Sequence, residues 1–95
     1  MAKNYKLNQY LRCIVGYYLK EREGQSVIEK EYHRGEIFRL RKNALHYVFD
    51  IIQSEYRADG YGTEPIVGGI NCYKSEKTEG GDRKIIEVRV KVEKA

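Results

Sequence analysis

The sequence predicts a single mixed domain of the α/β (α+β) class that spans residues 1–95. Apolar and charged residues alternate strictly from Ile86 to Glu93, which is the period of a strand with one buried face. Between Ile37 and Ile52, apolar residues instead recur every three or four positions, which is the period of an amphipathic helix. A chain of 95 residues is near the lower size limit for burying an adequate core without disulfides or metal, so we expect one domain that gains from oligomerisation.

The first predicted element is an amphipathic helix over Leu7–Arg22, with Asn4 or Asn8 as its N-cap. Its apolar stripe consists of Leu7, Tyr10, Leu11, Ile14, Val15, Tyr18 and Leu19. The same segment also fits a strand, because a β-branched pair precedes Gly16 and a second apolar set alternates. That set is Leu11, Cys13, Val15, Tyr17 and Leu19. We favour the helix and keep the strand as the alternative.

A strand over Ser26–Tyr32 and a second helix follow. The helix begins beyond Gly35 and ends near Tyr56, and its apolar stripe is the most regular in the chain. The stripe consists of Ile37, Leu40, Ala44, Leu45, Val48, Ile51 and Ile52. Its start has two interpretations, since Glu36–Lys42 could instead be a strand leading into a helix capped by Asn43.

The last third of the chain predicts an edge strand and a long C-terminal hairpin. Arg57–Gly62 is a loop, and Pro65 fits the start of an edge strand because proline has no backbone N–H to pair. Gly68-Gly69 marks a turn or bulge. Ile70–Lys74 then supplies the strand that pairs with the alternating segment across a turn at Thr78–Arg83.

The charge favours polyanionic partners. Lysine and arginine total 18 against 14 aspartate and glutamate, which gives a net charge of +4. Nine tyrosines without a tryptophan fit a protein with an interface, since tyrosine is enriched there. Cys13 and Cys72 are far apart and form no CxxC pair, which indicates a reducing compartment and no metal site. Neither a signal peptide nor an apolar run of about 18 residues occurs, so we expect a cytoplasmic protein without a membrane association.

Three local motifs accompany this order of elements. Lys6 precedes the first predicted helix, which has Asn8 and Tyr10 near its start. Arg34-Gly35 precedes the second helix, and Gly80-Gly81 lies at the tip of the basic hairpin. With a short strand at residues 3–6, the chain resembles the Alba family of small basic chromatin and RNA-binding proteins. The resemblance implies an Alba-like βαβαββ two-layer sandwich that binds DNA or RNA as a homodimer.

In an Alba-like fold, cations before each helix, on the hairpin and in a cluster on the exposed side of the second helix would contact phosphates. The candidates are Lys6, Arg34, Arg39, Arg41, Lys42, Lys77, Arg83 and Lys84. The alternative is an ordinary solvated face, in which these cations pair with Glu36, Asp50 and neighbouring carboxylates. Tyr61 and Tyr73 could stack on unpaired bases or could cover the edges of the core.

No residue pattern indicates catalysis or a cofactor. His46 and Asp50 have the i, i+4 spacing of two metal ligands but lack a third, so a surface pair is the simpler interpretation. His33 could act as an acid or base, yet no second histidine or nucleophile accompanies it. We therefore expect a binding protein that is not an enzyme.

Nucleic-acid binding by cations on loops and on the hairpin is the function that the sequence favours, and two alternatives stay open. The first is a protein-interaction module, an inhibitor or adaptor, whose tyrosine-rich surface recognises an acidic protein partner. The second is a winged-helix DNA binder with Asn43–Tyr56 as the recognition helix. That fold requires a third helix at Val27–Tyr32.

Overall fold

The computed structural model describes residues 12–33 and 37–95, which form a sheet with one helix packed on one face. The strands of this part of the chain are β1 Cys13–Glu23, β2 Ser26–His33, β3 Gly62–Ile66, β4 Gly69–Lys77 and β5 Arg83–Lys94. Their order is β2-β1-β5-β4-β3, and all neighbours are antiparallel. The mixed α+β class predicted from the sequence is confirmed.

The first segment is a strand, so the helix predicted over Leu7–Arg22 is wrong from Cys13 onward. Its beginning, and the strand predicted at residues 3–6, lie outside the described residues. β1 pairs with β2 on one side and with β5 on the other, and Cys13, Val15 and Tyr17 are buried on one face. The two ladders and the alternating burial outweigh the helical spacing, which is why the strand alternative is correct here. An Alba-like βαβαββ order needs a helix at this place, whereas the described elements run ββαβββ.

The predicted second helix is confirmed over residues 41–58, in three continuous stretches, but Ile37 and Leu40 of its predicted stripe precede it. The stretches are an α-helical start at Arg41–Tyr47, a π-helical turn at Val48–Ile52 and an α-helical end at Gln53–Ala58. Leu40 is the N-cap residue, so the alternative start with a cap at Asn43 is wrong. Among the described residues, no helix is long and apolar enough to span a membrane.

The π-helical turn keeps one line of side chains directed at the sheet. Ala44, Val48 and Ile52 follow one another at intervals of four and are 0% exposed. An α-helical turn holds 3.6 residues, so side chains four apart drift around its axis. A wider π turn offsets that drift.

The core lies between this line of helix side chains and the covered face of the sheet. Val15 of β1, Ile70 of β4 and Val90 of β5 are at most 1% exposed, and each such buried side chain contributes roughly 1.5 to 3 kcal/mol. At Gly69 the chain passes so close to β5 that an added Cβ would lie 1.9 Å from the Val90 carbonyl oxygen.

The C-terminal hairpin is confirmed, with β4 and β5 joined through residues 78–82. β3 contains Pro65 and forms one edge of the sheet, while β2 forms the other edge. The molecule is elongated, with extents of 61 × 23 × 21 Å. Candidate cations that are predicted to form one site therefore lie toward opposite ends of its long axis.

Candidate nucleic-acid interface

The described candidate cations fall into two groups at opposite ends of the sheet. Arg39, Arg41 and Lys42 lie at the start of the helix, near the end of β5, whereas Lys77, Arg83 and Lys84 lie at the β4–β5 turn. β5 has 12 residues, so at about 3.3 Å per residue its ends are roughly 36 Å apart. Lys6 and Arg34 lie outside the described residues.

A backbone bridge brings two arginines together at the first of these ends. Cys13 pairs with Lys94 on one side and with Phe38 on the other. The Cys13 and Phe38 backbones exchange hydrogen bonds of 2.8 and 2.9 Å, which places Arg12 and Arg39 next to each other across the bridge. On its other side, the carbonyl of Arg12 accepts a hydrogen bond of 2.8 Å from the final backbone N–H of the chain.

The first two helix residues add to the positive charge. Arg41 Nη2 lies 3.8 Å from the position that a Cβ on Gly68 would take, and the Gly68 carbonyl accepts a 2.9 Å hydrogen bond from Val92 N–H. Arg41 is therefore beside the end of β5. The first helical turn has no acidic residue, although the helix dipole favours negative charge there. We call the exposed set at this place the basic end: Arg12, Arg39, Arg41, Lys42 and Lys94.

The carboxylates on the elements that build the basic end are engaged elsewhere. Glu93 accepts a hydrogen bond from the Tyr18 hydroxyl and lies 3.3 Å from His33 Nε2. This carboxylate raises the pKa of Tyr18 to about 12, mainly through the hydrogen bond. Asp50 pairs with His46 at 2.7 Å on the exposed side of the helix. No cation of the basic end forms an ion pair with a carboxylate of the described residues.

The hairpin tip, residues 76–84, differs from the basic finger that the sequence predicts. Lys84 Nζ lies 3.5 Å from the Glu21 carboxylate of β1, and Arg83 donates a 2.9 Å hydrogen bond to Ser75 Oγ. Within the tip, three carboxylates accompany three cations: Glu76, Glu79 and Asp82 with Lys77, Arg83 and Lys84. The tip is therefore close to electrically neutral.

The uncovered face of the sheet also carries charges of both signs. Its rows run across the strands, and in one row Glu29, Lys20 and Glu87 are neighbours. Lys20 Nζ lies 3.7 Å from Glu29 Oε1. Alternating charges of this kind favour cross-strand pairing and give no continuous positive surface for a polyanion.

The two candidate stacking tyrosines have protein partners. The Tyr61 ring packs edge-on against Tyr56 with centroids 5.0 Å apart, and Lys74 Nζ lies 4.8 Å from the Tyr61 centroid. Tyr61 thus packs against the periphery of the core. The Tyr73 ring covers Gly62, where an added Cβ would lie 2.5 Å from a ring carbon.

Both cysteines are buried free thiols. Burial raises the pKa of the Cys72 thiol to about 11, which keeps it protonated at neutral pH. Among the described residues, no group of three or more histidine, cysteine, aspartate or glutamate side chains could hold a metal ion.

Sequence reasoning missed Arg12 and Lys94 because both depend on one pairing. Arg12 falls within the helix predicted over Leu7–Arg22, and Lys94 falls at the end of the predicted hairpin. Reading residues 13–23 as a strand antiparallel to β5 would have placed Lys94 opposite Cys13, next to Arg12. The alternation of apolar residues around Cys13 is the sequence signal that indicates this strand.

No protein-family model, no curated protein and no solved structure matches this chain. The resemblance to the Alba family stays a prediction, and function is inferred from the geometry of the basic end.

Proposed function

We propose that this protein binds the phosphate backbone of DNA or RNA through its basic end, and that it performs no chemical step. The observation that supports this proposal is the collection of five exposed cations at one end of the sheet. Two of them, Arg12 and Arg39, adjoin Cys13 and Phe38, whose backbones exchange two hydrogen bonds. Like charges opposite each other are unfavourable without a counter-ion, and a phosphate between them removes that repulsion.

The arginine and lysine side chains of the basic end are better suited to binding phosphate groups than to binding a protein with few carboxylates. Arginine presents a planar fork that can donate two hydrogen bonds to one phosphate, and lysine adds a point charge. Such contacts release condensed counter-ions and carry little sequence information. With five phosphate contacts, the logarithm of the association constant for duplex DNA should fall with the logarithm of salt with a slope of about −4 to −5.

This proposal retains part of the sequence-based hypothesis. Arg39, Arg41 and Lys42 remain candidates, whereas the tip cations are left out because carboxylates accompany them. The proposal does not use the Alba-like order of elements, because β1 lies where the first helix of that order would be. The winged-helix alternative fails because it requires a third helix where residues 26–33 form β2. The homodimer stays a prediction.

The test compares two triple variants of equal charge. One is Arg39→Ala with Arg41→Ala and Lys42→Ala, and the other is Lys77→Ala with Arg83→Ala and Lys84→Ala. Each lowers the net charge from +4 to +1, so a general charge effect would act on both. Each protein is first freed of co-purified nucleic acid by nuclease treatment. Fluorescence anisotropy of labelled duplex DNA, single-stranded DNA and RNA is then measured at several salt concentrations.

We expect the basic-end triple to weaken binding at low salt by roughly 30-fold or more and to reduce the slope by about 2.7, because each lost contact removes about 0.9. The tip triple should stay close to the wild type. Absence of binding by the wild type at low salt would refute the proposal. Equal losses of affinity in both triple variants would show that net charge, and not the basic end, determines binding, which would also refute it.

A further inference from the structure

The outer edge of β2 is unpaired within the part of the chain that the structure describes. β2 is terminal in the sheet, no described strand pairs with its outer side, and all eight of its side chains are exposed. In an antiparallel ladder every second residue of an edge strand directs its N–H and C=O outward. Such an edge is a template for an added strand. The opposite edge, β3, has only five residues and contains Pro65, which cannot donate a backbone hydrogen bond.

An aromatic and acidic cleft lies beside β2 on the side that carries the helix. The cleft has a volume of about 240 Å³. The rings of Tyr17 and Tyr32 are stacked within it, 4.9 Å apart and 2° from parallel. Its lining consists of Tyr17, Tyr32, Glu55, Tyr56 and Asp59. Aromatic faces combined with carboxylates suit a cation on a hydrocarbon stem, as in a lysine or arginine side chain.

The other face of β2 is acidic as well. Glu29 and Glu31 alternate on the uncovered side of the sheet, opposite Lys20 and Tyr18 of β1. The Glu29 side chain is 69% exposed even though it lies near Lys20. A strand added to this edge would therefore meet Glu29 and Glu31 on one face, and on the other face the cleft carboxylates Glu55 and Asp59 together with the single β2 cation Lys30.

A second copy of this chain fits the edge poorly. Antiparallel pairing about a two-fold axis keeps like faces together, so residues on the same face lie opposite each other. The two registers that pair most of β2 with itself place Glu29 opposite another Glu29, or Glu29 opposite Glu31. Like charges directly opposite are destabilising in a sheet, so the charge pattern disfavours self-pairing and favours a basic strand.

We propose that β2 is the docking edge for an extended, lysine- or arginine-containing segment of a partner protein. The segment adds as a strand beside β2. It directs one basic side chain into the cleft lined by Tyr32 and Tyr56, and others toward Glu29 and Glu31. Backbone hydrogen bonds supply affinity and the alternating side chains supply selectivity, as in other strand-addition complexes.

The test uses a labelled ten-residue peptide of threonine and valine with lysine at every third position, which directs lysines to both faces of a strand. One control peptide has glutamate in place of lysine. Another keeps the lysines and has proline at intervening positions, so that it cannot pair as a strand. The protein variants are Glu29→Lys with Glu31→Lys, the single change Tyr32→Ala, and the charge-matched control Glu79→Lys with Asp82→Lys at the hairpin tip.

We expect the lysine peptide to bind the wild type and the tip control equally, and to bind the Glu29 and Glu31 double variant at least about tenfold more weakly. Tyr32→Ala should also weaken binding, and neither control peptide should bind. Absence of binding by the lysine peptide, or equal binding by its proline version, would overturn the proposal. So would a wild-type dimer in sedimentation that the double variant dissociates, because a second copy would then occupy β2. Salt-dependent DNA binding should persist in the double variant, which separates this proposal from the previous one.

Discussion

The two ends of the sheet differ in packing and in charge. At the basic end the helix starts against β1 and β5, five cations are exposed, and nearby carboxylates such as Glu93 bind neutral or cationic neighbours within the fold. At the hairpin tip the strands extend past the helix, and cations such as Lys84 alternate with carboxylates. A chain with a net charge of only +4 can therefore concentrate positive charge at one place by balancing it elsewhere.

A second contrast, between the two faces of the sheet, predicts where the stability of the fold resides. Ile70 is 1% exposed on the face under the helix, whereas Ile85 is 44% exposed on the uncovered face. Ile70→Ala should lower the free energy of unfolding by about 2 to 5 kcal/mol, because it removes buried methyl groups and leaves a cavity. Ile85→Ala should lower it by less than about 1 kcal/mol. Urea unfolding followed by circular dichroism measures both, and similar losses would show that the uncovered face is packed as well as the core.

Alkaline pH should weaken the covered part of the sheet. Burial raises the pKa of Cys72 from 9.0 to about 11 and also raises the pKa of Tyr56. A folded-state pKa above the unfolded one means that the folded state holds its proton more tightly, so stability is retained below pH 9 and falls as the pH rises toward 11. For Cys72 alone the loss is at most roughly 2 to 3 kcal/mol.

Urea unfolding at pH 7, 9, 10 and 11 checks this expectation. Cys72→Ala should be less stable at every pH because of the cavity it creates. Its free energy of unfolding should nevertheless fall less steeply above pH 9 than that of the wild type. Parallel curves for the two proteins would show that the Cys72 thiol does not contribute.

Local signals predicted the helix and the closing hairpin. The regular apolar stripe that includes Ala44, Val48 and Ile52 indicates a helix without reference to any distant segment. The glycine-rich turn likewise lies between two segments that are close in sequence and both indicate strands. The first strand could not be chosen this way, because residues 13–19 fit both periods. Pairing with β5, some 70 residues later in the chain, decided between them.

The sequence predicted only part of the candidate site, because the remaining residues depend on strand pairing between distant segments. Arg39, Arg41 and Lys42 form a local cluster that the sequence displays. Arg12 and Lys94 join them only through the β1–β5 register. That register also brings Glu21 to Lys84, which adds a carboxylate from β1 to a hairpin tip whose own charges already balance.

The most direct test of phosphate binding at the basic end is to map backbone amide chemical shifts by NMR while a short DNA duplex is titrated into ¹⁵N-labelled protein at low salt. We predict the largest shifts at residues 12–13, 38–43 and 92–95, with residues 76–84 unchanged. Shifts centred on residues 76–84, or no saturable shifts at all, would contradict the account.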